Sequence, residues 1–289
     1  MKILLVGHSI IDNIDFEGIK RILPGGIFYS VLGTLAVKNT SDQVFLLTSM
    51  NKENYFLFEK VYSRINRDFL IPADSMPEVF LQISEVGERG ERYLNISRPL
   101  MIDGIGDWNR FGGILINMIT GFDISAGQLK TIRENYSGPI YFDLHTLSRG
   151  VDEKLNRDFR PVPDINDWLK NIDILQCNQY ELRTIGNSDN TKNIETVLNA
   201  GVKYLIVTRG EKGASLYFKD LNEIKIIDKP AKAVKVVNKV GCGDVFGSVF
   251  FYNYLCRKDA EFSLEQAIEY SGRAVSVNIF NNIDLFIND

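Results

Sequence analysis

The stretch Val240-Gly241-Cys242-Gly243-Asp244-Val245-Phe246 holds the residue types best suited to chemistry. Two glycines bracket a small residue, and an aspartate opens an apolar run with helical spacing. Glycines let backbone amides come close to a ligand, and a helix start turns unbonded N–H groups and positive dipole toward an anion. A phosphate is the natural occupant. Asp244 then stands within reach of a hydroxyl attacking that phosphate, where it can accept the proton and orient the nucleophile. A plain tight turn with an aspartate near a helix start reads the same way. Val207-Thr208-Arg209-Gly210-Glu211-Lys212-Gly213-Ala214 adds a threonine and two glycines after an expected strand, where open α/β sheets bind ligands. A hairpin turn looks alike. His145, in Phe142-Asp143-Leu144-His145-Thr146, also follows a strand's end, with a structural role as the simpler reading.

The elements that must position these residues follow from the apolar pattern. Runs bounded by Gly, Pro, Asp or Asn at 3–6, 44–47, 114–119, 140–142, 172–175 and 204–207 read as strands. Their nearly unbroken hydrophobicity places both faces in a core. Helical patterns occupy 26–38, 52–64, 126–136, 180–185 and 193–200, and two more, at 245–255 and 264–279, follow the glycine-rich stretch. Strands alternating with helices predict a mostly parallel sheet covered on both sides. Two segments break the rhythm. Residues 76–98 alternate around a Gly/Glu/Arg turn as an antiparallel hairpin does, and the polar stretch 12–22 precedes the first helix. Together they are expected to form a small lid.

Composition narrows the partners. The chain has 289 residues, 45% hydrophobic and 24% charged, enough for one large α/β domain spanning 1–289. A net charge of -4 gives no basic field for nucleic acid or an anionic membrane surface, so a small anionic ligand must be held by local groups. Cys177, Cys242 and Cys256 form no CxxC pair, which suits a reducing, cytoplasmic setting. The N-terminal apolar run reads as a first strand rather than a signal peptide, and no apolar run is long enough to span a bilayer.

Five segments, in this order, resemble the ribokinase family, also called the PfkB carbohydrate kinases, over nearly the whole chain. They are Val6-Gly7-His8-Ser9-Ile10-Ile11-Asp12, Gly25-Gly26, Asn178-Gln179-Tyr180-Glu181, the turn from Val207 to Ala214, and Gly241 to Phe246. The resemblance implies a ribokinase-like three-layer α/β/α sandwich with a small β lid, at about 12–22 and 76–102. It implies transfer of the γ-phosphate of ATP, with Mg2+, to a hydroxyl of a sugar or sugar-like substrate. The alternatives are a nucleoside kinase of the same fold, or a catalytically weak homologue serving as nucleotide-binding sensor or scaffold.

By the same resemblance Asp244 is the catalytic base, and the amides of Gly241, Cys242 and Gly243 form the anion hole. Asn178 and Glu181 hold magnesium, largely through water. Thr208, Gly210 and Gly213 make the nucleotide-binding turn, with adenine between it and C-terminal residues such as Val275, Asn278 and Ile279. Asp12, Gly25, Gly26 and Ser30 fall on the acceptor side, where a carboxylate such as Asp12 can bind two adjacent hydroxyls. Relatives often dimerise through the lid, which implies a homodimer contact at Phe80, Leu81 and Ile83.

The chain departs from the family pattern at two places. Asn238 stands where many relatives carry an acid that helps hold potassium, with Lys239 beside it, which leaves a monovalent-cation requirement open. Ser30 replaces a common substrate-binding asparagine, after Phe28 and Tyr29, which offer either an aromatic pocket wall or core packing. Arg89 and Arg92 on the 76–98 hairpin are candidates to close over phosphates, or a solvated tip.

Overall fold

The computed structural model describes residues 1–288 except 17–18, 83–89 and 187–188. In chain order the strands are β1 (Lys2–Val6), β2 (Ser9–Phe16), β3 (Ile19–Gly26), β4 (Gln43–Met50), β5 (Leu70–Pro72), β6 (Glu78–Gln82), β7 (Gly90–Asn95), β8 (Gly113–Asn117) and β9 (Ile140–Asp143). They continue with β10 (Arg149–Val151), β11 (Arg157–Phe159), β12 (Ile174–Asn178), β13 (Tyr204–Thr208), β14 (Ala214–Asp220) and β15 (Glu223–Lys229). The helices are α1 (Ile27–Val37), α2 (Tyr55–Tyr62), α3 (Ala126–Asn135), α4 (Ile165–Leu169), α5 (Asn190–Asn199), α6 (Cys242–Arg257), α7 (Ala260–Ser276) and α8 (Ile283–Asn288).

Nine strands form the main sheet, in the order β15-β14-β13-β12-β9-β8-β1-β4-β5. From β13 to β5 all neighbours are parallel, and β14 and β15 extend one edge as an antiparallel pair. Strands such as β1 are apolar throughout because side chains on both faces are buried, Leu5 and Phe250 of α6 on one side, Val6 and Leu129 of α3 on the other. Helices α1, α2, α6, α7 and α8 cover the first face and α3, α4 and α5 the second, which is the expected three-layer α/β/α sandwich. No helix among the described residues is long and apolar enough to cross a membrane.

Close helix packing sets where the carboxyl ends of the strands meet α6. A Cβ at Gly33 of α1 would lie 2.3 Å from Ser248 Oγ and 3.0 Å from the Val245 backbone, so glycine there lets the two helices touch. A Cβ at Gly247 would lie 2.7 Å from Gln176 Oε1, which seats α6 directly on β12. The first turn of α6 is thereby fixed over the carboxyl ends of β8, β9 and β12.

A second sheet, of four strands in the order β3-β2-β6-β7, stands beside these ends. Residues 12–22, read from sequence as a polar stretch, instead supply most of β2 and β3, paired from Ser9–Gly26 outward. Ile10, Ile11 and Ile14 explain the difference, because they are buried at 5%, 4% and 6% exposure beneath a strand that otherwise looks solvated. The 76–98 hairpin forms β6 and β7, with Arg89 outside the described residues. Leu81, expected on a dimer surface, is 2% exposed and faces inward, while Ile83 lies outside the described residues. A short antiparallel pair, β10 with β11, was not foreseen; it docks on β7 through the Tyr93 amide and the Leu155 carbonyl.

Candidate active site

Gly241 takes the left-handed conformation, φ 77° and ψ 0°, immediately before α6. Any side chain there would strike the Tyr29 ring, since a Cβ would lie 2.1 Å from it. The carbonyls at the head of α6 are tied backward: Ser271 Oγ donates to Cys242 O at 3.2 Å, and Gln176 Nε2 donates to Gly243 O at 3.1 Å. In this first turn the Cys242 amide donates to Lys239 O at 3.5 Å, and a helix start carries the positive end of its dipole, which favours an anion. A Cβ at Gly243 would meet nothing within 4 Å, so the approach is open.

Asp244 sits in that turn and is held from the sheet. Asn117, the last residue of β8, donates from Nδ2 to Asp244 Oδ1 at 2.7 Å, and the same nitrogen lies 3.3 Å from Ser30 Oγ. Asn117 is 1% exposed, and the Asp244 that it holds lines the cleft. Ser30, expected against the acceptor, is 1% exposed and instead touches the residue that holds Asp244.

The cleft lies between α6, the ends of β8 and β9, and the four-stranded sheet. Its walls are Ile10, Val79, Leu81, Ile119 and Tyr29; its polar groups are Asp12, His145, Arg157 and Asp244. Asp12, 3% exposed, packs its carboxylate over Gly25, where a Cβ would lie 2.1 Å from Oδ2. Gly26, at φ 67°, makes the break between β3 and α1 and also borders the cleft. Phe28 turns the other way, into core aromatics that include Phe58 and Phe280.

Beside the cleft lies a group of carboxylates. Asn178 Oδ1 accepts from the amides of Tyr180 and Glu181 at 2.8 and 2.9 Å, while Glu181 Oε2 accepts from the Asn178 amide at 2.8 Å. This reciprocal cap fixes Glu181, and its other oxygen lies 3.9 Å from His145 Nδ1. Asp143, at the end of β9, accepts from Gln176 Nε2 at 2.8 Å, and Tyr141 OH holds Gln176 Oε1 at 2.5 Å. Burial pushes the Asp143 carboxyl well above the ordinary carboxylate range, and the charges of Glu181 and Asp244 push it further. Among the described residues no three His, Cys, Asp or Glu side chains converge tightly enough to bind a metal directly.

The nucleotide-turn residues lie along the same edge. Thr208 ends β13 and pairs in register with Asn178. Gly210 and Gly213 have φ of 58° and 91°, and a Cβ at Gly213 would lie 2.0 Å from Lys229 O. Asn278 is further along, past α7. Its Oδ1 is buried without a partner among the described residues, and Val275 O accepts from the Val237 and Asn238 amides at 2.8 and 3.1 Å. The structure thus gathers Asp244, Gly241, Asp12 and Gly26 in one cleft, sets Asn178, Glu181 and Thr208 beside it, and places Asn278 across the α7 end.

Residues 148–278 match the model of the pfkB family carbohydrate kinases. Over that stretch the chain resembles this family. A cytidine kinase of Thermococcus kodakarensis is 22% identical over 273 residues, 88% of either chain. Among solved structures, ribokinase of Arabidopsis thaliana, in complex with ribose and ATP, superposes with a TM-score of 0.72 at 17% identity, covering 100% of this chain and 98% of that one. A pyrophosphate-dependent kinase of the ribokinase family superposes with a TM-score of 0.78 at 13% identity, covering 94% and 95%. The fold is therefore that of the PfkB kinases. Sequence reasoning reached the glycine-rich turn of this family site but passed over Asn117, Gln176 and Arg157. Asn117 was legible as a polar residue closing the otherwise apolar run Gly113-Ile114-Leu115-Ile116.

Proposed function

We propose that the protein transfers the γ-phosphoryl group of Mg-ATP to a hydroxyl of a small sugar or nucleoside bound in the cleft. The observation that carries this reading is Asp244, held by Asn117 at 2.7 Å in the first turn of α6, directly after the left-handed Gly241. The amides of Gly241, Cys242 and Gly243 stabilise charge growing on the transferred phosphoryl group. The Asp244 carboxylate takes the acceptor hydroxyl's proton as it attacks. Asp12 and Gly26 seat the acceptor, and Thr208, Gly210, Gly213 and Asn278 border the nucleotide. Magnesium, if bound between Asn178, Glu181 and Asp143, would neutralise the phosphates and relieve the repulsion among these carboxylates. The four-stranded sheet acts as the lid that keeps water from competing as acceptor. We place the protein in the cytoplasm, and propose a dimer through this sheet's outer face, where Ile22 and Leu94 are 60% and 44% exposed.

The test is acceptor-dependent release of ADP from Mg-ATP over a panel of sugars and nucleosides, with inorganic pyrophosphate run as a second donor. Asp244→Asn should lower turnover by about 10²–10⁴ while leaving the thermal midpoint nearly unchanged, the range a positioned general base supplies. Unchanged turnover removes Asp244 as the base. Well-folded protein that releases no acceptor-dependent ADP favours the sensor or scaffold reading.

A further inference from the structure

The cleft contains a buried cation that the phosphate chemistry does not use. Arg157 reaches it from β11, and its side chain is 3% exposed. One guanidinium nitrogen, Nη1, is 2.5 Å from Glu91 Oε2 on β7, itself 4% exposed. The other, Nη2, donates to Tyr93 OH and, at 3.1 Å, to the Ile119 carbonyl. The plane lies 4.0 Å from the Tyr93 ring centroid. Burial works against the charge, but Tyr93 and Glu91 outweigh it and hold the guanidinium pKa above its usual value. Among the described residues Nε is buried with no partner. A buried donor left unpaired is costly, and one on the wall of a substrate cleft gains most when a ligand oxygen satisfies it.

The charges around Arg157 decide what that oxygen belongs to. Glu91 already neutralises the guanidinium, so the arginine offers a hydrogen bond without surplus positive charge. Asp12 and Asp244 line the same cleft, with Asp143 and Glu181 behind it. An acceptor bearing a carboxylate or phosphate would meet this negative field, and among the described cleft-lining residues Arg157, already paired with Glu91, is the one arginine or lysine.

We propose that Arg157 determines acceptor specificity: its Nε–H binds a neutral oxygen of the acceptor, and its ion pair with Glu91 restricts the site to uncharged polyols, sugars and nucleosides. This rests on the kinase reading only for its turnover readout, because binding can be measured without nucleotide. Arg157→Lys keeps a cation for Glu91 but loses Nε–H. Glu91→Gln keeps the hydrogen-bonding shape and releases the positive charge.

The probes are cytidine, D-ribose and D-fructose as neutral acceptors, and D-gluconate and D-ribose 5-phosphate as anionic ones. Thermal shift without nucleotide and steady-state ADP release are recorded for each. In wild type, at least one neutral probe should bind and be turned over, and neither anionic probe should. Arg157→Lys should raise KM for that neutral probe by about tenfold with kcat within twofold, as the loss of one buried hydrogen bond predicts. Glu91→Gln should bring in gluconate or ribose 5-phosphate binding that wild type lacks. Because Glu91→Gln leaves a buried charge less well paired, the double variant E91Q/R157M, with neither charge, serves as the folding control and should show the raised KM without the anionic binding. Wild type that turns over an anionic probe as efficiently as the best neutral one, or Arg157→Lys with unchanged KM, overturns the proposal and leaves the kinase reading standing. Arg157-dependent probe binding with no ADP from any probe overturns the kinase reading and leaves this one.

Discussion

At Asp244 the functional question is which oxygen faces the acceptor, and a single amide decides it. Because Asn117 Nδ2 occupies Oδ1, replacing Asn117 by Ala should free the carboxylate to rotate and return it to water. We expect kcat to fall about tenfold to a hundredfold with KM little changed, the worth of a hydrogen bond to a charged group, read from ADP release. Asp143 supports a second expectation, in stability rather than rate. Its carboxyl is raised above the ordinary value of 3.8, first by burial and then by Glu181 and Asp244. A raised carboxylate binds its proton more tightly folded than unfolded, so its contribution is full below the unfolded value and is lost as pH rises through the folded one. Asp143→Asn, which keeps an oxygen for Gln176, should therefore raise the thermal midpoint at pH 8, and the gain should shrink toward pH 4. A loss of stability at pH 8 would contradict the assigned repulsion. Asp123 runs the other way. Burial alone would raise it, but His8 and the His8 and Thr120 amides hold it below 3.8, so its stabilisation is present above that value and fades in stronger acid.

At the scale of elements, the turn before α6 shows how the chain replaces a family feature. Asn238 Oδ1 accepts from the Val240 amide at 3.0 Å, so this side chain shapes the turn itself, and Val275 O takes the Val237 and Asn238 amides. Exchanging potassium for tetramethylammonium should accordingly change turnover by less than about twofold, since no local carboxylate at 238 awaits a cation. A strong potassium dependence would place the cation elsewhere. The turn was legible in sequence because its determinants are local: two glycines, an aspartate and a helix. The main strands were legible for the same reason, as unbroken apolar runs. Strands β2 and β3 were not, because Asp12, Asn13 and Asp15 give a polar look to a strand whose burial depends on β6, more than sixty residues away in sequence. Arg157 was illegible likewise, since what makes it a cleft residue is Glu91, 66 positions earlier.

The whole molecule is a three-layer sandwich with a smaller sheet latched to it. Tyr93 of β7 donates to the Thr120 carbonyl, and Arg157 bridges Tyr93, Glu91 and the Ile119 carbonyl, so the latch closes just past the end of β8. Tyr93→Phe should loosen it and raise ATP hydrolysis in the absence of acceptor relative to transfer, measured as phosphate release; an unchanged ratio would separate the latch from water exclusion. Gly241 and Tyr29 carry a different kind of consequence. The tyrosine ring fills the space that a side chain at 241 would need, so the phosphate-facing turn and the acceptor wall are in direct van der Waals contact. Natural variation in acceptor choice then has unequal freedom across the pocket. Val79 and Leu81, carried on a separate sheet, can be exchanged without disturbing the turn before α6, whereas remodelling at Tyr29 shifts that turn with it. Divergence toward new substrates should accordingly run through the small sheet and leave the α1 aromatic in place.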